Sequence, residues 1–337
     1  MDFDFSSEQY LLRDTVRDLL RRECTPGAVR AAWASESGRS PERWRKLADL
    51  GVVGLTVAEE HGGAGMDEVD LVLILEEAGR SLLPEPLLET TAVGAPLLAR
   101  SGSDTLRAEW LPRIAAGDAT VTVGLAGSPY VADATADLVV LERQGALHAV
   151  TQDRLTLQPL RSVDRARRLF SVTAELGDDT LLSTSAAVAR WAFDHAAAAT
   201  AAELVGVAGA MLDMTVAYVK QREQFGRRIG SFQAVQHKLA ETLLLVDSAR
   251  SAVYYAAWAL ANDTPDASIA ASVAKAYASD AERRANAEAL QLHGGIGFTW
   301  EHDLHLWLKR GKALELQYGD ADLHRRRIAD WIYATAG

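Results

Sequence analysis

Residues 221–237 read Gln-Arg-Glu-Gln-Phe-Gly-Arg-Arg-Ile-Gly-Ser-Phe-Gln-Ala-Val-Gln-His. Before this stretch, Val205, Ala208, Leu212, Val216 and Val219 recur on one face of a helical pattern. After it, Val235, Leu239 and Val246 do the same. Gly226 and Gly230 stand between, residues with which a chain leaves one helix and enters the next. Arg222, Arg227 and Arg228 crowd the turn, although the 337-residue chain carries a net charge of −11. Taken singly, arginines at a turn form surface ion pairs and phenylalanines fill core. Taken together, the guanidinium groups, Phe225, Phe232 and the Gln233 amide suit a flat aromatic ligand bearing phosphates.

A second stretch, 291–308, reads Gln-Leu-His-Gly-Gly-Ile-Gly-Phe-Thr-Trp-Glu-His-Asp-Leu-His-Leu-Trp-Leu and follows another long helical pattern. Gly294 and Gly295 have no Cβ to keep a ligand away from the backbone. The same glycines could simply stop a helix. The first stretch resembles the Arg-x-x-Phe-Gly-x-x-Ile-x-x-x-Gln turn of the acyl-CoA dehydrogenase family. The second resembles that family's Gln-x-x-Gly-Gly-x-Gly-Phe segment. A third, Glu59-Glu60-His61-Gly62-Gly63-Ala64-Gly65, is similar to its Pro-Glu-x-x-Gly-Gly-x-Gly loop, with Ala58 in place of the proline. That loop lacks the strand–GxGxxG–helix setting of a dinucleotide fingerprint.

The rest of the chain supports a mainly α fold with a small β-domain, in the family's domain order. Residues 1–117 read as helical, with helices over 6–24, around Trp44 and Leu47, over 67–80 and over 86–101. Thr25-Pro26-Gly27 reads as the stop of the first. Residues 118–185 alternate in short apolar runs, which predicts small antiparallel strands. Residues 186–337 return to helical spacing in four segments, roughly 186–220, 233–262, 266–292 and 303–335, as in an antiparallel bundle.

Composition narrows the function. Hydrophobic residues make up 48% and charged ones 24%, as in an ordinary globular protein. The negative charge argues against nucleic acid, so a phosphate ligand must meet a local basic site. One cysteine, Cys24, rules out an internal disulfide and fits a reducing cytoplasm. The acidic start, Met-Asp-Phe-Asp-Phe, is unlike an export signal, and no apolar run reads as long enough to cross a membrane. His293, His302 and His305 lack an HExxH setting, so no metal is expected. Arg325-Arg326-Arg327 reads as a solvated helix face.

What the resemblance implies is α,β-dehydrogenation of an acyl-CoA thioester with FAD, the flavin held by Arg222, Phe225, Phe232, Gln233, Gln291, Gly294 and Gly295. The reaction needs a carboxylate base of raised pKa. Yet the family's glutamate position falls on Tyr318, and the alternative position on the first bundle helix falls near Ala196, with Asp194 and Glu203 off register. A tyrosine, with a pKa of about 10, is a poor base for this step. The family's flavin-contacting Thr-Glu-Pro falls near Ala126-Gly127-Ser128, and no tryptophan lies between Trp110 and Trp191. In the family, the two matching segments reach across a dimer interface to a neighbour's flavin. The resemblance therefore implies a non-base-bearing subunit of a hetero-oligomer, partnered by a homologous chain, as in bacterial enzymes attacking steroid side-chain CoA thioesters. The catalytic residue stays open. A homo-oligomer using Asp320 and a flavin-free scaffold are the alternatives, and the acyl chain cannot be read.

Overall fold

The computed structural model describes residues 4–335, so Met1–Phe3 of the acidic start lie outside it. Helix α1 (Ser7–Glu23) opens with a capping box in which Ser6 and Gln9 serve each other's backbone. Thr25-Pro26-Gly27 does not merely stop it. Thr25 caps a new helix, α2 (Pro26–Ala34), its side chain accepting from Ala28 N. Proline at the first helical position lacks only an N–H that would be unpaired anyway. α3 (Pro41–Asp49), α4 (Glu68–Arg80), a π-helical run Leu88–Gly94, α5 (Ala95–Ser101) and α6 (Asp104–Ala115) complete the first region. The glycine-rich loop at 59–66 folds back on the chain itself. Ala64, Gly65 and Met66 donate to Gly54, Val57 and Leu55, and a Cβ at Gly63 would lie 2.1 Å from the Val57 carbonyl oxygen.

The middle region carries β1 (Val121–Gly124), β2 (Val131–Ala132), β3 (Leu138–Arg143), β4 (Ala146–Thr151), β5 (Leu155–Leu160), β6 (Leu169–Ala174) and β7 (Leu181–Ser183). They form two sheets, ordered β1-β3-β4-β7 and β2-β6-β5. Not all pairs are antiparallel as expected: β1 and β3 run parallel, Val121 opposite Leu138. The chain leaves β1, makes β2 in the other sheet and returns, so both strands point the same way.

The third region is a bundle around α7 (Ala186–Gln221), packed against α8 (Gln233–Ala261), α9 (Ala267–His293) and α10 (Leu304–Leu316), with α11 (Ala321–Thr335) on α9. α7 corrects the membrane expectation, because it is long and apolar enough to cross a bilayer. Its apolar residues instead fill the core: Leu204, Val207, Ala208 and Met211 are all fully buried. Small residues let α4 touch it backbone to backbone. A Cβ at Gly206 would sit 1.9 Å from the Glu76 carbonyl oxygen, and one at Gly79 2.1 Å from that of Glu203. The expected segment 303–335 is two helices, divided by Tyr318 (φ +52°) and Gly319 (φ +92°). Lys275 of α9 holds this turn. Its buried amine donates to the carbonyls of Glu315 (2.9 Å) and Gly319 (2.8 Å), and burial lowers its pKa to about 7.

Candidate active site

Two places in the chain carry the chemistry-bearing residues, and they differ in kind. The first is the end of the bundle where α7 gives way to α8. Arg222 caps α7, its N–H donating to Tyr218 O and its carbonyl accepting from Ile229 N. A small hairpin follows, Glu223 opposite Arg228 and Gln224 opposite Arg227. Its two-residue turn is Phe225-Gly226, both with positive φ (+54° and +76°), the geometry that suits hairpin twist. Glycine adopts this freely, whereas a phenylalanine there costs about 1–2 kcal/mol. Phe225 nevertheless stands 90% exposed. Phe225 thus combines a strained backbone with an exposed aromatic ring. Phe232 meets Phe225 edge to face at 6.2 Å, and the Arg227 guanidinium lies 4.0 Å from the Phe232 ring centre. Gln233 begins α8, exposed, with no side chain capping that helix.

At the end of α9, Gln291 is exposed and Gly294 leaves the helix with φ +62°. A Cβ built on Gly294 or Gly295 would meet nothing within 4 Å. Their missing side chains therefore serve no packing need and leave bare backbone facing outward. Tyr218 joins the two segments, its ring stacked on His293 at 4.4 Å. The hairpin and the glycine turn thus share one end of the bundle. For a flavin's phosphate chain the residues fit: exposed guanidinium and amide groups beside open glycine backbone. No side chain of the described residues blocks the glycines.

The second place lies between the strands and the α10–α11 turn, where the family's base is expected. Tyr318 is buried there, its hydroxyl donating to Val123 O at 3.4 Å. Burial and the nearby Glu89 carboxylate push that phenol well above its ordinary range. Beside it Arg167, buried, bonds both Glu89 and Gln317, and Gln317 also donates to Glu89 at 3.1 Å. Glu203 of α7 faces the same guanidinium at 3.8 Å, and burial raises its carboxyl to about 7. Arg310 is likewise buried against Asp164 and the Leu83 carbonyl. What remains open is a crevice of about 260 Å³ bordered by Leu125, Gly127, Tyr130, Phe193, Tyr318 and Arg326. That lies just under the usual range of about 300–1,000 Å³ for ligand pockets.

Sequence reading did not find Glu89, Arg167 and Gln317. The only hint was a glutamate inside the apolar run Leu87-Leu88-Glu89-Thr90-Thr91-Ala92-Val93. Ala196 is fully buried in α7. Asp320 is an exposed cap accepting from Leu323 N at 2.8 Å. Among the described residues, no group of three or more His, Cys, Asp or Glu could hold a metal. Arg325 and Arg327 pair with Asp280 and Asp194.

Known proteins resemble this chain in sequence and fold. A sequence profile described as "Acyl-CoA dehydrogenase, N-terminal domain" matches residues 6–118, and "Acyl-CoA dehydrogenase, C-terminal domain" matches 186–333. Acyl-CoA dehydrogenase IpdE2 of Mycolicibacterium smegmatis is 41% identical over 97% of this chain and 100% of its own length. Its namesake in Mycobacterium tuberculosis is 40% identical over 96% and 98%. Among solved structures, the ChsE4–ChsE5 complex from Mycobacterium tuberculosis superimposes with a TM-score of 0.90 at 27% identity, covering 99% of both chains. The Tcur3481–Tcur3483 steroid ACAD variant does so with 0.90 at 29%, covering 98% of both.

Proposed function

The chain belongs to the acyl-CoA dehydrogenase family, and from that premise we propose that it works as the non-base-bearing subunit of a hetero-oligomer, lending residues to a flavin held chiefly by its partner. The observation that carries this reading is the contrast between its two half-sites. The half that would reach a neighbour's flavin is open and strained toward solvent. The half that would act at home is filled by the Glu89–Arg167–Gln317 cluster and has Tyr318 where a base is required. A homologous partner then brings the ring contacts and the carboxylate. That two of the most similar structures carry names of paired subunits supports the same arrangement.

In the assembly, Arg222 offers a fixed cation and bidentate donors to a phosphate, and Gln233 and Gln291 add neutral hydrogen bonds. Gly294 and Gly295 bring main-chain N–H groups within reach. Phe225 and Phe232 give the ring system or its purine an apolar wall that keeps water out. Held there, FAD would supply a hydride acceptor for the β-carbon of the acyl thioester, with removal of the α-proton left to a carboxylate of the partner. This chain contributes the cofactor's position and the polarity around its phosphates. The substrate class we assign is the CoA thioester of a steroid-derived acid, handled in the cytoplasm.

The test is to assemble the chain with a homologous partner and vary one residue at a time. Arg222→Ala and Gln291→Ala in this chain should strip flavin from the assembly. Tyr318→Phe should leave turnover as it was. Abolished turnover in Tyr318→Phe, or full flavin content in Arg222→Ala, would refute the assignment.

A further inference from the structure

The geometry points to His293 as a positioning residue that locks the two flavin-facing segments into one platform. This rests on the reading just given. His293 is the last residue of α9 and is 3% exposed. Its Nδ1 lies 2.7 Å from the Ala289 carbonyl, which fixes the proton on that nitrogen and the ring's orientation. Nε2 is then a bare acceptor, buried and without a hydrogen-bond partner. A buried unpaired nitrogen is costly and calls for a reason.

The reason lies in what the ring holds. One face stacks on Tyr218 with planes 23° apart, and His302 meets it at 4.8 Å and 63°. The Tyr218 hydroxyl donates to the His293 carbonyl at 3.4 Å. A Cβ on Gly297 would come within 3.1 Å of the His293 Cβ, so the glycine turn folds back over this residue. Tyr218 lies one helical turn before Arg222, and His293 immediately precedes Gly294. The stack therefore sets where the guanidinium stands relative to the open glycine backbone. Neither segment alone contains that information. No ring atom of His293 need touch the cofactor.

The experiment uses the assembled hetero-oligomer and measures its dissociation constant for FAD by fluorescence titration, with the thermal midpoint recorded in parallel. Aromatic stacking of this kind carries about a three- to tenfold effect. His293→Ala and Tyr218→Leu should each weaken FAD binding by about that factor. The double variant should be no weaker than the worse single one, because the rings act as one unit. His293→Phe keeps the stack and should recover most of the affinity. At saturating FAD, kcat should be unchanged in all of them. Tyr218 is half-buried on the bundle surface, so its variant keeps the test alive if His293→Ala does not fold.

Unchanged FAD affinity in His293→Ala or Tyr218→Leu, or strictly additive losses in the double variant, would overturn the inference. Arg222→Ala separates this outcome from failure of the underlying reading. If Arg222→Ala also leaves FAD affinity unchanged, the junction does not hold the cofactor. If it weakens binding while the stack variants do not, only the role of His293 falls.

Discussion

Replacing Arg167 by methionine should reveal how firmly the home half-site is closed. Arg167 is buried between Glu89, Gln317 and Glu203, and a methionine of similar length leaves two carboxylates in the interior without their cation. Breaking a buried ion pair from one side costs about 3–5 kcal/mol. At an unfolding entropy of about 2.1 cal/mol/K per residue, the 337-residue chain should lose about 4–7 °C in thermal midpoint. The acid-side behaviour has a definite sign. Burial raises the Glu203 carboxyl to about 7, and Arg167 is the largest influence holding it down. A carboxyl raised on folding is protonated first in the folded state, so its penalty is absent below about pH 4.5 and grows as pH rises toward 7. Without Arg167 the Glu203 value climbs further, so the variant's deficit should be largest at pH 7–8 and shrink at pH 5. The double variant Arg167→Met/Glu89→Leu leaves only Glu203 without its cation, so at pH 5, where Glu203 is protonated, it should recover to within about 1–2 kcal/mol of the parent. Urea unfolding at pH 5 and pH 8 measures all three proteins. A single-variant loss below about 1 kcal/mol, or a double variant costing more than the single, would show that the cluster is not the plug described.

Other consequences follow from particular contacts. Gly206→Ala puts a Cβ 1.9 Å from the Glu76 carbonyl oxygen and must push α4 off α7, a loss of about 1–3 kcal/mol visible in the thermal midpoint. Lys275→Met bears on pH. The folded amine sits at about 7 against 10.5 unfolded, so the unfolded chain binds the extra proton between these values and stability rises with pH across them. Urea midpoints at pH 7, 8 and 9 should climb in the parent and flatten in the variant. Phe225→Asn relieves the positive φ and should stabilise the isolated chain by up to about 1 kcal/mol, while the assembly retains less flavin on gel filtration.

The flavin-facing segments were legible because their signals are local. Gly226, Gly294 and Gly295 sit within a few positions of the arginine, phenylalanine and glutamine residues they serve. The helical bundle was legible for a similar reason, since its apolar spacing repeats over long runs. Thr25-Pro26 misled because the same dipeptide ends one helix and begins another. The parallel β1–β3 pair was hidden because strand direction depends on a crossover through the second sheet. The closed half-site was invisible for a plainer cause. Arg167 lies 78 positions from Glu89 and 150 from Gln317, and no spacing rule connects them. The absence of a carboxylate at Tyr318 could be seen. What fills the space around it could not.

The central claim comes down to the number of flavins per chain. Purified alone, this chain should be colourless at the flavin absorption bands. Co-expressed with a homologous acyl-CoA dehydrogenase subunit, it should elute in an assembly holding one FAD per pair of unlike chains. Stoichiometric FAD on the lone chain, together with acyl-CoA oxidation, would contradict the account.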